Sequence, residues 1–337
     1  MTIKTLSTAI FAIAGLTFQA SAQIVTPAPQ PAAASTAGVS DPLSRAAALY
    51  ATYHGEVTDV KTKGFNSSRD IDKSLTNLGG HNPDQLAQGW MAYSALIAAQ
   101  DPEFRAAVRD IEGFYGRDVL ITGLKNDARY ARTLNGGSSA VSASLSAVSA
   151  DSRRLIGAAA YVKEQAYSLQ GAGWAKGKVG NSGAKADRLM ASTRTGIPAR
   201  GEMVRAMSSP EINGVLVQAG QTGSPSVWEN VSSAASAIRI PAVASNFGQS
   251  RRIARGQEPV ADRITTLAAF RILGSDQSSA PSMRAAMKDR ETTACLNMAN
   301  LNLQQCVAAA HKHYEVPFCI GEHALSDVGK CIGKVAQ

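Results

Sequence analysis

The 337-residue chain has few aromatic side chains (6%), little charge (18%), four cysteines and five histidines. A low aromatic content with abundant Ala, Ser and Gly favours closely packed helices over an aromatic-lined pocket. Several signatures of chemistry are missing. No P-loop, Rossmann glycine fingerprint or His-Glu-x-x-His occurs, nor does a Gly-x-Ser-x-Gly nucleophile elbow. Cys-x-x-Cys redox and haem-attachment motifs are also lacking. His54, between Tyr53 and Gly55, is expected at a helix C-terminus, where a histidine meets free carbonyls. His81, in Gly79-Gly80-His81-Asn82-Pro83, is expected in a turn between helices. Glu112 and Glu164 read as single solvated acids on helix faces. No catalytic residue and no cofactor is assigned, and a non-catalytic role is the expectation.

Long apolar runs are lacking too, except at the start. Lys4 precedes an apolar stretch at residues 6–18, and Ala20-Ser21-Ala22 follows as a small-x-small cleavage site. Residues 1–22 are therefore expected to be a secretory signal, with mature protein from Gln23. The run is too short to span about 30 Å of hydrocarbon. No later stretch is long and uncharged enough to cross a bilayer, so no transmembrane segment is expected after cleavage. Cleavage removes one Lys and no acid, taking the formal charge from +8 to +7. The expected location is periplasmic or secreted, in a bacterial envelope. Asn66-Ser67-Ser68 and Asn230-Val231-Ser232 are glycosylation acceptors only in a eukaryote.

What is present reads as helix. After a Pro/Ala-rich, uncharged linker at 23–39, a helical body is expected over residues 40–273. Asp41-Pro42, Asn82-Pro83, Asp101-Pro102, Ser209-Pro210 and Ser224-Pro225 each pair an N-cap residue with Pro, which the first helical position tolerates. Gln85 after Asn82 resembles a capping box. Leu86, Trp90, Tyr93 and Ile97 step at helical spacing, as do Phe104, Val108 and Ile111, so Gln100-Asp101-Pro102 marks a sharp corner. A short β segment near residues 56–61 stays open. Beyond Trp228, a helix to Ile238, a loop over 241–248 and the cluster Arg251-Arg252-Ile253-Ala254-Arg255 are expected. A further helix over 259–273 and a linker or helix extension over 274–293 complete the body.

The most regular feature is a heptad seam. Val141, Leu145, Val148, Ser152, Leu155, Ala159, Val162, Ala166 and Leu169 alternate steps of four and three between the breakers Gly136-Gly137 and Gly171-Ala172-Gly173. Small residues make the seam narrow. Two readings are open: a coiled-coil contact with another subunit, or, preferred, the central helix of the chain's own bundle.

The basic excess gathers at residues 174–200, where Lys176, Lys178, Lys185, Arg188, Arg194 and Arg200 face one acid, Asp187. With Gly177, Gly180, Gly183, Gly196 and Pro198, this stretch reads as a flexible loop with a short helix over 184–191. Either it is a solvated surface or it meets an anionic partner, such as cell wall, anionic lipid or an acidic protein. Nucleic acid is not expected, since no binding motif is present.

All four cysteines, Cys295, Cys306, Cys319 and Cys331, lie within residues 294–337. An even count in an exported chain points first to disulfides. Val316-Pro317-Phe318 is the expected reversal between two antiparallel helices, which nests Cys306–Cys319 inside Cys295–Cys331. The 12-residue step from Cys319 to Cys331 overshoots whole helical turns by about 120°, so one of the two is expected off the regular helix. The rival is a metal site made by His311, His313 and His323 with the cysteines, although tight Cys-x2–4-Cys spacing is lacking.

The chain is thus expected to be all-α, a multi-helix bundle with a disulfide-stapled helical hairpin. Its expected role is that of an exported scaffold or interaction protein with an envelope protein or an anionic wall polymer as partner. Peptidoglycan binding or modification is the alternative, and a metal-binding tail the second. An oligomer stays open.

Overall fold

The computed structural model describes residues 41–222, 251–274 and 279–336. The expected signal, the linker at 23–39, Ser224-Pro225, the helix to Ile238 and the loop over 241–248 lie outside the described residues. From Ser40 onward the chain forms one compact unit. It is all-α: among the described residues no strand occurs, only two isolated bridges, Lys178 with Lys312 and Ile253 with Ala336. No described helix is long and apolar enough to cross a membrane.

Helix α1 (Pro42–Lys63) follows Asp41 and runs through residues 56–61, so the β segment left open there is helix. Next come α2 (Ser68–Gly79), α3 (Pro83–Ala98), α4 (Pro102–Tyr115), α5 (Arg117–Asn126) and the short α6 (Tyr130–Thr133). The Asn82 carboxamide accepts from the Gln85 N–H at 3.0 Å, and the Asp101 carboxylate from the Phe104 N–H at 2.9 Å. Both caps satisfy a donor that a helix start leaves free. The corner at Asp101 turns with no more than three residues between α3 and α4. Helix α3 is the hub. It reads as amphipathic in sequence, yet Leu86, Met91, Ala95 and Leu96 are buried along with Trp90 and Tyr93, because helices cover it on every side. At Gly89 an added Cβ would lie 2.9 Å from the Ala46 carbonyl and 3.0 Å from Tyr50 Cβ, so only glycine lets α1 cross there.

Helix α7 (Gly137–Leu169) has 33 residues and is about 50 Å long. Gly136 before it adopts φ 75°, and a side chain there would strike the Phe104 backbone. The seam residues Val141, Leu145, Val148, Leu155, Val162 and Leu169 are all buried. They are covered from within the chain, which corrects the subunit-contact reading. Ser144 Oγ donates to the Ser94 carbonyl of α3 at 2.7 Å, and the C-terminal hairpin covers the narrow part of the seam.

Helix α8 (Ser182–Thr195), α9 (Gly201–Ser208) and α10 (Ile212–Thr222) follow. Residues 174–200 are therefore less of a loop than expected, for α8 spans 14 of them under the side-chain cap of Asn181. Ser209 is not an N-cap with Pro at the first helical position. Pro210 lies in a turn, and α10 begins two residues later. The Arg251–Arg255 stretch is clasped to the C-terminus by the bridge from Ile253 to Ala336. Helix α11 (Glu258–Leu273) matches expectation, and the stretch foreseen as linker or helix extension carries the seven-residue α12 (Ala280–Ala286).

Helix α13 (Arg290–Ala309) begins under the Asp289 cap, whose carboxylate accepts from the Thr292 N–H at 2.9 Å. The chain reverses at residues 310–314, earlier than expected. Val316-Pro317-Phe318 lies inside α14 (Glu315–Cys319), in the first turn, where the missing N–H of Pro317 breaks no helical bond. A π-helical turn (Ile320–Ser326) leads without a break into α15 (Asp327–Gly333). The nested pairing holds: Cys306–Cys319 and Cys295–Cys331 are both bridged, each with Cα atoms 5.7 Å apart.

Neither Cys319 nor Cys331 leaves the helix, contrary to expectation, and the π turn explains why. A π-helix has about 4.4 residues per turn, so each residue advances about 18° less than in an α-helix. Over the seven residues of that turn the shortfall is about 130°. It cancels the overshoot of the 12-residue step and returns Cys331 to the face of Cys319.

Candidate functional site

Four groups of side chains carry chemistry. The first is a polar cluster around α1. His54 is fully buried in mid-helix rather than at a C-terminus. Its Nδ1 accepts from the Arg154 guanidinium at 3.0 Å, and its Nε2 lies 3.9 Å from Asp151 Oδ2. Burial and then the Arg154 charge hold His54 well below the usual imidazole range, so it is neutral and makes no ion pair with Asp151. Tyr50 donates to Asp151 at 3.0 Å, and burial followed by the Asp151 charge raises its phenol well above the usual range. One turn away His81 meets Glu56 at 2.6 Å, both buried, and Arg200 approaches Glu56 at 3.8 Å. His81 does lie in the turn between helices. A Tyr–Asp–His set resembles a relay on paper. Here Tyr50 and His54 are wholly inaccessible and Asp151 is 2% exposed, so the cluster fixes the core rather than meeting a substrate.

The second group is the basic stretch, which the fold disperses. Lys176 and Lys178 are exposed beside the hairpin turn. Lys185 pairs with Asp72, and with Arg188 it lines a groove of about 240 Å³ between α2 and α8. Arg194 is exposed further along α8. Arg200 points inward to Asp59 at 3.0 Å.

The third is the His/Cys tail. All four cysteines are in disulfides, so no thiolate is available to a metal, which corrects the Cys/His alternative. His323 instead contacts Asp327 at 2.8 Å, while His311 and His313 lie in the turn, their backbones bonded to Val179 and Gly177. Among the described residues no group of three or more His, Cys, Asp or Glu is placed to hold a metal ion.

The fourth was not legible in the sequence. A groove of about 290 Å³ lies between the end of α7 and the hairpin. Its floor is Ala166, Ala309, Ala310 and the Cys306–Cys319 bridge. Its walls are aromatic: Tyr167 (55% exposed) and Phe318 (37%) stand with ring centroids 6.3 Å apart, and Tyr314 adds a third ring. Polar side-chain atoms come from the phenols of Tyr167 and Tyr314, from Gln170 and from Glu315. The Glu315 carboxylate is already engaged, accepting from the N–H groups of His311 at 2.6 Å and Lys312 at 3.2 Å. The one sequence signal was a pair of bulky aromatics beside the small seam residue Ala166 and beside Cys319.

No protein-family model, curated protein or solved structure matches this chain.

Proposed function

We propose that the protein is an exported, non-catalytic helical scaffold that holds an envelope partner in the groove between α7 and the stapled hairpin. One observation carries this reading: the apolar groove is walled by exposed aromatics on a frame that a disulfide makes rigid. Few convergent polar groups favour binding through an apolar anchor over chemistry. Rigid aromatic walls cost little conformational entropy when a partner docks. The two disulfides fit the oxidising compartment that a secretory signal implies.

The test is a photo-crosslinking residue at Tyr167, irradiated in the producing cell and compared with the same residue at Asp187 on the exposed face of α8. A discrete adduct in the exported fraction, lost when Ala309→Trp fills the groove, supports the reading. Adducts that are equal at both positions, or unchanged by Ala309→Trp, overturn it.

A second reading, binding of an anionic wall polymer, draws on the polar groove of Lys185 and Arg188 and on the exposed Lys176, Lys178 and Arg194. It predicts co-sedimentation with purified sacculi that fades with salt and with Arg188→Ala.

A further inference from the structure

At one edge of the groove the chain holds two lysines against each other. Residues 175–179 run antiparallel to residues 311–314, and Lys178 faces Lys312 across an isolated bridge. The Val179 N–H donates to the His311 carbonyl at 2.9 Å and the His313 N–H to the Gly177 carbonyl at 3.2 Å. Lys178 and Lys312 thus form a non-hydrogen-bonded pair, the closer kind, with Cα atoms about 4.5 Å apart and side chains on one face. Like charges directly opposite are destabilising. Neither ammonium has an ion-pair partner among the described residues. Glu315, the nearest acid in sequence, spends its carboxylate on backbone N–H groups of the turn. Lys178 is exposed and Lys312 half-buried, and Lys176 adds a further exposed cation on the same strand of chain as Lys178. Lys312 does not itself line the cavity, but it lies in sequence between the groove residues Ala310 and Tyr314, which sets the charged pair beside it.

The geometry points to an occupant: an acidic peptide segment that places carboxylates on the Lys178–Lys312 pair and buries one apolar side chain between Tyr167 and Phe318. This rests on the groove reading above and names its partner chemistry. Carboxylates relieve the like-charge repulsion, and the cavity has room for about one large side chain.

The test uses the purified, fully oxidised protein and a short dye-labelled peptide with one leucine between runs of glutamate. Fluorescence anisotropy is read across a salt series. Binding is expected to weaken at least about tenfold when the leucine becomes alanine, when Ala309→Trp fills the groove, or when Lys178→Glu and Lys312→Glu reverse the pair. Added salt should weaken it further. The reversed protein should in turn prefer the peptide flanked by lysines, which shows that it is folded and that charge sets the choice. Equal binding of glutamate-flanked and lysine-flanked peptides by the wild type overturns the inference. So does equal binding of polyglutamate without leucine, which would indicate a simple polyanion surface. If the peptides fail while the Tyr167 adduct still depends on the open groove, the acidic occupant is wrong and the scaffold reading stands.

Discussion

Deletion of Glu322 from the π turn is expected to leave both disulfides intact, although most deletions inside a helix rotate everything beyond them by about 100°. Removing one residue shortens the step from Cys319 to Cys331 to eleven. In regular α-helix that step misses whole turns by only about 20°. The turn can therefore relax from π to α while Cys331 still meets Cys295. The direct loss is the Glu322 carboxylate, 2.7 Å from Lys163, a part-exposed pair worth less than about 1 kcal/mol. Deleting Asn302 from α13 should behave differently. It leaves a step of ten residues from Cys295 to Cys306, about 80° short of whole turns, so one bridge must fail.

The outer bridge closes a 36-residue loop around an inner one of 13, so it constrains roughly two dozen free residues. By chain entropy that contributes about 3–4 kcal/mol. At about 2–4 °C per kcal/mol for a domain of this size class, the loss lowers Tm by about 6–16 °C. The assay is a thiol count by alkylation and mass spectrometry under denaturing conditions, with a thermal melt alongside. No free thiol and a small Tm change are expected after deletion of Glu322, and two free thiols with a large drop after deletion of Asn302. Two free thiols in the Glu322 deletion, with a melt as low as that of Cys295→Ala/Cys331→Ala, would refute the account of helical phase.

Leu155→Asp, at a fully buried seam position, should cost more than about 3 kcal/mol in denaturant unfolding and should not dissociate an oligomer; a shift from dimer to folded monomer in sedimentation would restore the subunit contact. His54 has a folded pKa below its unfolded value, so stability is full above about pH 6.5 and falls as pH drops, by up to about 1.4 kcal/mol per pH unit. His54→Gln should flatten that slope between about pH 6.5 and 5, and an unchanged slope in urea titrations would contradict it. For Asp289, burial alone raises the carboxyl pKa, yet hydrogen bonds from Thr292 and the Arg263 charge outweigh it and hold the group low. Its contribution is present above the unfolded value of about 4 and is lost as pH falls through the folded value. Asp289→Ala should therefore cost about 1–2 kcal/mol at neutral pH and little near pH 2, read as the gap between the two unfolding curves.

Local signals were readable from the chain and distant ones were not. Caps such as Asn82 and Asp101, and the breakers around α7, depend on neighbouring residues and were legible. The disulfide pairing was also legible, because each spacing is close to whole turns or can be made so. The π turn was not, since nothing in Ile320–Ser326 marks it beyond the overshoot it corrects. His54 was misplaced because Gly55 looks like a helix stop. Gly55 is instead a contact point, where an added Cβ would lie 3.1 Å from Met203 Cε. The candidate groove joins Tyr167 to Phe318 across about 150 residues of sequence, and no periodicity records that meeting.

The narrow seam of α7 is received by glycines of the hairpin. Added Cβ atoms at Gly321 and Gly329 would lie 3.1 Å from the carbonyls of Ala159 and Ser152, and Tyr53 of α1 donates to the Ala324 carbonyl at 2.6 Å. The last helices are thus the lid of the core, and they close on residues up to 271 positions earlier. Such contacts are slow to form, because the intervening loop must be closed before they repay its entropy. While the chain emerges from its N-terminus, α7 keeps a bare apolar stripe until the final segment arrives. Closure of the core then waits for the hairpin, and oxidation of its cysteines makes that closure hard to undo.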